Sequence, residues 1–156
     1  MSNITKMNDQ CCTFYVNGCF FGVNVLRVRE VIRYQKMTQV PLAPDTIQGL
    51  INLRGEIVTA IDLRKMVDPD KSFKPVDTDP MNVVVRVNGE VVSLLVHEIG
   101  DVITIDTAHL EEPPNTISES TRKLVDSVYK IKDKLMLVLN VDATIQTQAE
   151  MTEMTL

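Results

Sequence analysis

Few residues of this chain have the types and spacing that catalysis requires. His97, Glu98 and Asp101 could be imagined as an acid–base set. On a β-strand, however, His97 and Glu98 point to opposite faces, so they cannot cooperate directly. No serine has the context of a nucleophile elbow, and no glycine-rich phosphate loop is present. The sequence therefore predicts a protein without catalytic residues.

One aspartate keeps a catalytic alternative open. Residues 105–108 read Ile-Asp-Thr-Ala, which matches the Asp-Thr-Gly/Ala turn of aspartic proteases. Those enzymes need two such aspartates sharing one proton, so Asp106 would act only in a dimeric hydrolase. Asp106 also precedes a short segment whose first N–H groups its carboxylate could cap, as Asp62 could cap the segment after it. We favour the capping role for both aspartates.

The cysteines do not predict a metal or redox site. Cys11, Cys12 and Cys19 are an odd number crowded into one short segment, without CxxC spacing. The two histidines, His97 and His109, lie far along the chain. A zinc site would need ligands at closer spacing. We expect reduced thiols, with no metal and no cofactor.

Composition and charge exclude two classes of partner. The chain has 156 residues, a net charge of −5 and 44% hydrophobic residues. Nucleic-acid binding requires a basic surface, which is not visible here. The sequence starts without the pattern of a signal peptide, and no apolar stretch approaches the ~18 residues of a membrane span. We expect a cytoplasmic protein without nucleic-acid binding or direct membrane insertion.

Two Asn-Gly pairs predict equivalent β-hairpins. Asn17-Gly18 and Asn88-Gly89 each separate two apolar runs and lie 71 residues apart. Asn-Gly favours the tight turn in which both central residues have positive φ. After the first hairpin, Val28, Val31 and Ile32 have the i, i+3, i+4 spacing of one helix face, which predicts a short helix there.

A second correspondence links residues 47–63 to residues 125–141, at an offset of 78. It indicates either a duplicated unit of about five short strands or only the shared pattern of β-hairpins. We predict one all-β domain with short helices over residues 12–145, built as small barrels. Its similar halves are 12–67 and 82–145, joined by a connection over 68–81, with flexible termini at 1–11 and 146–156.

The segment Gly-Leu-Ile-Asn-Leu-Arg-Gly-Glu-Ile-Val-Thr-Ala-Ile-Asp-Leu-Arg, which ends at Arg64, resembles the signature of the CheW family of chemotaxis adaptors. The resemblance covers roughly residues 12–145. It implies two SH3-like five-stranded barrels packed together, an arrangement in which strands can be exchanged between the barrels, and no catalytic activity. It also implies that the chain bridges chemoreceptor tips to the histidine kinase CheA and is recruited to the inner face of the membrane. Other CheW-like subunits of array rings are further possible partners.

The same resemblance implies the contact residues. Arg54 matches the family's hairpin arginine, and a glycine after it lets the turn adopt positive φ. The alternative is that Arg54 merely pairs with a neighbouring carboxylate. The residues implied for receptor binding are Val28, Asn52, Arg54, Gly55 and Val102, and those for kinase binding are Glu30 and Gly49. A core role is an equal alternative for the two valines.

A generic SH3-like peptide-binding module is a further alternative. Such modules hold proline-rich ligands in a groove lined by aromatic side chains. This chain has only three tyrosines and four phenylalanines, mostly within apolar runs. The sequence therefore gives this alternative little support.

Overall fold

The structure, a computed structural model, describes residues 8–69 and 80–145. These residues form ten β-strands and a few short helical segments. The strands are β1 (Asn8–Val16), β2 (Cys19–Asn24), β3 (Val28–Arg33), β4 (Ile47–Leu53), β5 (Glu56–Asp62), β6 (Met81–Val87), β7 (Glu90–Val96), β8 (Glu98–Asp106), β9 (Val125–Ile131) and β10 (Lys134–Leu139). The short helices include α1 (Leu63–Val67) and α2 (Glu119–Arg122), with 3₁₀ turns at Val25–Arg27 and Thr107–His109, and residues 141–145 are also helical. None of these helices is long and apolar enough to cross a membrane.

The strands form two five-stranded sheets that exchange their hairpins. Sheet 1 has the order β8-β1-β2-β10-β9, and sheet 2 has the order β3-β6-β7-β5-β4. The β1–β2 hairpin of the first half thus lies in sheet 1 with three strands of the second half. The β6–β7 hairpin of the second half lies in sheet 2 with three strands of the first half. The junctions are the parallel pairs β2–β10 and β5–β7, whereas the other pairs are antiparallel. The prediction of an all-β fold with two five-stranded units is confirmed, although the outer strands of neither sheet pair with each other within the described residues.

The pairing register repeats between the two sheets. Val28 lies opposite Val85 in sheet 2, and residues 99 and 14, their equivalents at the offset of 71, lie opposite each other in sheet 1. Adding 78 to the residue numbers likewise converts the paired residues of β4–β5 into the paired residues of β9–β10. The irregularity near the start of each pair falls at the same place. Both Asn-Gly turns have positive φ at both positions, as predicted. Agreement at this level favours a duplicated unit over a shared hairpin pattern.

The largest apolar core lies between the sheets and takes residues from both. Phe14 and Phe21 from sheet 1 pack with Val83, Leu94 and other fully buried residues of sheet 2. Each sheet also encloses a smaller cluster of its own. Because the two sheets share their main core, neither can bury its apolar face without the other.

The predicted short helix after the first hairpin is wrong. Val28, Val31 and Ile32 lie in strand β3, which pairs along β6, and only a 3₁₀ turn precedes it. Their β-branched side chains suit a strand, and pairing with β6 satisfies the backbone groups that a helix would have used. The helical spacing was therefore accidental.

Only some of the predicted domain limits fall on residues that the structure describes. Strand β1 begins at Asn8, so residues 8–11 are paired with β8 although they fall in the predicted flexible terminus. Residues 141–145 are helical at the other end. Most of the predicted connection (70–79), the residues before position 8 and the predicted C-terminal tail (146–156) lie outside the described residues.

A buried ion pair lies where β5 ends and α1 begins. Asp62 and Arg64 are both fully buried, and the Nε and Nη2 groups of Arg64 donate to the two Asp62 carboxylate oxygens at 2.9 and 3.0 Å. The Asp62 carboxylate also accepts the backbone N–H of Arg64, which is the predicted N-cap. The Arg64 carbonyl accepts from the Asn17 side chain in the β1–β2 turn, so this segment links sheet 2 to sheet 1.

Arg64→Met is expected to lower the free energy of unfolding by about 3–5 kcal/mol, because Asp62 would keep a buried charge without a partner. The double variant Asp62→Leu/Arg64→Met should lose less than Arg64→Met alone, since no buried charge remains, although the lost N-cap costs about 1 kcal/mol. Denaturant unfolding of both variants measures the difference. A double variant less stable than Arg64→Met would contradict the assignment.

Candidate functional site

The turn between β4 and β5 presents Arg54 at its tip. Arg54 and Gly55 both have positive φ, at 53° and 90°, and form a two-residue hairpin turn. The Asn52 side chain accepts the Gly55 N–H at 2.8 Å. Asn52 and Gly55 therefore fix the turn, while the Arg54 side chain is 69% exposed.

Four charged side chains around this turn form one cluster, the four-charge cluster of Arg29, Glu30, Arg54 and Glu56. Arg54 pairs with Glu30, and Arg29 Nη1 pairs with Glu56 Oε1 at 2.6 Å. Arg29 Nε also lies 3.9 Å from Glu30 Oε2. The hydrogen bond and charge of Glu56 raise the pKa of Arg29. The cluster joins β3, one outer strand of sheet 2, to the turn beside β4, the other outer strand.

The cluster brings together residues that the sequence analysis assigned to different partners. Arg54, predicted for the receptor, pairs with Glu30, predicted for the kinase. Arg54 thus pairs with a neighbouring carboxylate, as the alternative to a receptor contact expected. Its side chain nevertheless remains mostly exposed. Sequence reasoning did not identify Arg29 and Glu56. Their signal was the alternation of opposite charges beside the two residues it did select.

The remaining predicted contact residues differ in exposure. Gly49 is buried, and a Cβ there would lie 2.8 Å from both Met37 Cβ and the Thr38 carbonyl oxygen, so the glycine allows that segment to cross β4. Val28 is half-buried against the shared core. Val102 is 57% exposed on β8, in the other sheet. The exposed position of Val102 argues against the core alternative for it, whereas Val28 fits that alternative.

The loop before β4 carries an apolar side chain that the sequence analysis did not single out. Leu42 is 96% exposed and has a positive φ of 65°, in a turn closed by the Ala43 N–H and the Val40 carbonyl. A leucine in this backbone conformation is strained. The base of the loop is fixed to β4 by two backbone hydrogen bonds between Thr38 and Leu50. Leu42 is therefore held in water on an anchored loop.

The residues considered for other chemistry have structural surroundings. The Asp106 carboxylate accepts the Ala108 N–H at 3.0 Å, which is the predicted capping role. Burial raises the pKa of all three cysteine thiols, and that of Cys11 reaches about 11 with a further contribution from Asp9. Within residues 8–69 and 80–145, no group of three His, Cys, Asp or Glu side chains could hold a metal ion.

Known proteins share both the sequence pattern and the fold. A family model described as "CheW-like domain" matches residues 10–149. The chain is 27% identical over 146 residues to "Chemotaxis protein CheW" of Bacillus subtilis (strain 168), covering 92% of this chain and 91% of that protein. It is 25% identical over 153 residues to "Probable chemotaxis protein CheW" of Rhizobium etli, covering 96% of each.

A solved structure is similar as well. The crystal structure of scaffolding protein TtCheW from Thermoanaerobacter tengcongensis matches with a TM-score of 0.77 and 29% identity, covering 88% of both chains. The chain, with its exchanged five-stranded sheets and its Asn-Leu-Arg-Gly turn, belongs to the CheW-like domain family of chemotaxis scaffold proteins.

Proposed function

We propose that this protein is a non-catalytic adaptor that couples the cytoplasmic tips of chemoreceptors to the histidine kinase CheA. It works in the cytoplasm and is recruited to the inner face of the membrane through the receptors. The observation that carries the proposal is the exposed Arg54 on a hydrogen-bonded turn, in a chain of the CheW-like family. Scaffold proteins act by presenting surfaces, and a preordered turn lowers the entropy cost of binding.

The receptor contact is centred on Arg54. Arginine is enriched among the residues that dominate binding energy, because its planar guanidinium can donate to several acceptors at once. Asn52 and Gly55 contribute by holding the turn rather than by touching the receptor. Val102 offers an exposed apolar contact, and Val28 lies half-buried at the start of β3.

The kinase contact uses the anchored loop before β4. Leu42 and Val40 give it apolar surface, and buried Gly49 contributes by letting the loop lie against its strand. Glu30 is a further kinase contact, and its pairing with Arg54 also orients the receptor contact. The same surfaces could accept other CheW-like subunits, which share this architecture.

Arg54→Ala is expected to weaken receptor binding by about 1–3 kcal/mol, the loss typical of a charged donor, and to leave the kinase affinity within a factor of about two. Co-sedimentation with receptor-containing membranes measures the first, and calorimetric titration with the kinase measures the second. Arg33→Ala, an exposed arginine outside the cluster, is the matched control. Unchanged co-sedimentation of the Arg54 variant would refute the receptor assignment.

Leu42→Gly separates binding from stability. Glycine accepts positive φ without strain, so the variant should unfold at the same or a slightly higher denaturant concentration. Its kinase affinity should fall about tenfold or more, because an apolar anchor is lost. Calorimetric titration and denaturant melts give the two numbers. Kinase affinity equal to that of the wild type would remove the loop from the kinase contact.

Salt should affect the two contacts differently. An apolar kinase contact should change in affinity by less than about tenfold between roughly 50 and 500 mM salt, because only charges at its rim are screened. Receptor binding through Arg54 should weaken more over the same range. Titrating each partner across the range compares the two slopes. A kinase affinity that collapses while receptor binding persists would reverse the assignment of charge to the receptor side.

A further inference from the structure

Sheet 1 contains an open cavity that the proposed adaptor function does not use. Its volume is about 580 Å³. It lies between the start of β8 and the turn that joins β9 to β10, with β1 and β2 below it. Its lining includes the residues Thr13, Tyr15, Phe20, Ile103, Ile131 and Lys134. Cavities of this size hold small ligands or single side chains of a partner.

The cavity occupies the position that the four-charge cluster occupies in sheet 2. The offsets of 71 and 78 relate the four members of that cluster to Gly100, Asp101, Lys132 and Lys134, all of which line the cavity. Two arginine–glutamate pairs join β3 to the turn in sheet 2. The Arg29–Glu56 pair becomes a glycine and a lysine here, whereas the Glu30–Arg54 pair becomes an aspartate and a lysine. Within residues 8–69 and 80–145, no ion pair joins β8 to the β9–β10 turn.

Thr13 prevents Gly100 from supplying the missing side chain. A Cβ at position 100 would lie 2.5 Å from the Thr13 Oγ1, and that hydroxyl donates to the Asp101 carbonyl. Filling the gap from β8 would thus require the Thr13 side chain to rotate away and give up that hydrogen bond. The two duplicated sheets have therefore diverged, one linked across its outer strands by charges and the other left open.

Lys134 and Tyr15 place two hydrogen-bond donors beside an apolar floor. The Lys134 ammonium donates to the Tyr15 hydroxyl at 2.6 Å and lies 4.8 Å from the centre of the Phe20 ring. The ammonium has three protons and uses one in this bond, and the Tyr15 hydroxyl, acting as acceptor, keeps its own proton to donate. Phe20, Ile103 and Ile131 are half-buried around it and belong to the apolar cluster of sheet 1.

We propose that this cavity binds a carboxylate attached to an apolar side chain, as found in a free apolar acid or in the last residue of a peptide. The carboxylate is held by Lys134 and Tyr15, and the apolar group lies on Phe20, Ile103 and Ile131. Charged donors paired with a carboxylate form the stronger class of hydrogen bond, and the apolar floor limits competition from water.

The rim of the cavity restricts the ligand further. Three carboxylates, those of Glu98, Asp101 and Asp133, line it against two lysines, Lys132 and Lys134, so a negative charge beyond the one that Lys134 holds is repelled. The site therefore prefers a monocarboxylate to a dicarboxylate of similar size. The outer edge of β8 is not paired with another strand in the described residues, so a peptide could add backbone hydrogen bonds there.

NMR titration of the ¹⁵N-labelled protein with N-acetyl-L-leucine tests the site. We expect low-millimolar affinity, on the order of what a ligand of this size allows, with shifts at the amides of Gly100, Asp133 and Lys134. N-acetyl-L-leucinamide lacks the carboxylate, and N-acetyl-L-glutamate carries a second one. Each should bind at least about tenfold more weakly than N-acetyl-L-leucine. Equal shifts with the acid and the amide, or no shifts at those residues, would overturn the proposal.

Two variants assign the donors. Lys134→Met and Tyr15→Phe should each weaken binding about tenfold, while Lys123→Met, an exposed lysine elsewhere, should bind as the wild type does. Denaturant melts establish that the variants remain folded. Equal losses in Lys134→Met and Lys123→Met would show unspecific attraction and overturn the proposal. A leucine-ending tetrapeptide that binds at least tenfold tighter than N-acetyl-L-leucine would identify a chain end as the source, and equal affinity would identify a free acid.

Discussion

The exchange of hairpins between the two sheets is the constraint on which the other features of this protein depend. Strand β2 needs β10, and β7 needs β5, to continue their sheets, and both junctions are parallel pairs between distant segments. Neither half of the chain can therefore complete a sheet alone. The main apolar core lies between the sheets and is shared by them, so strand pairing and core burial are acquired together. Such non-local pairing is typical of slow-folding β-proteins.

The exchange also determines where the candidate partner contacts lie. It places β3 and β4 at opposite edges of sheet 2, and the four-charge cluster joins those edges through side chains instead of backbone pairing. Each of these exposed ion pairs contributes little to stability. Their consequence is positional: they orient the Arg54 turn against β3. The equivalent edges of sheet 1 lack such pairs among the described residues, and a cavity remains there.

The local elements of the fold could be predicted from the sequence because their signals are short-range. Asn-Gly pairs fix the turns through the φ values that they tolerate, and apolar runs on either side supply the strands. The offsets between the halves matched the strand register closely. The prediction of a helix after the first hairpin was wrong, because three apolar residues such as Val28, Val31 and Ile32 fit a helix face and a paired strand equally well. The pairing partner, β6, lies about fifty residues away and has no local signal.

The candidate site could be predicted only as separate residues. Arg54 was found through its turn, but its pairing with Glu30 depends on strand order, which no local pattern contains. Gly49, predicted as a kinase contact, is buried below the loop that carries Leu42, a position that the sequence does not reveal. Leu42 was overlooked because an isolated leucine in a proline-containing loop carries no periodicity. Exposure and positive φ, both properties of the folded chain, are what distinguish it.

The central claim is that this protein bridges two partners at the same time. Receptor-containing membranes, the kinase and this protein can be mixed in all combinations, and the kinase that sediments with the membranes can be measured. We expect the kinase to sediment only when this protein is present, and a large excess of this protein to reduce the amount by occupying each partner separately. Equal sedimentation of the kinase with and without this protein would contradict the claim.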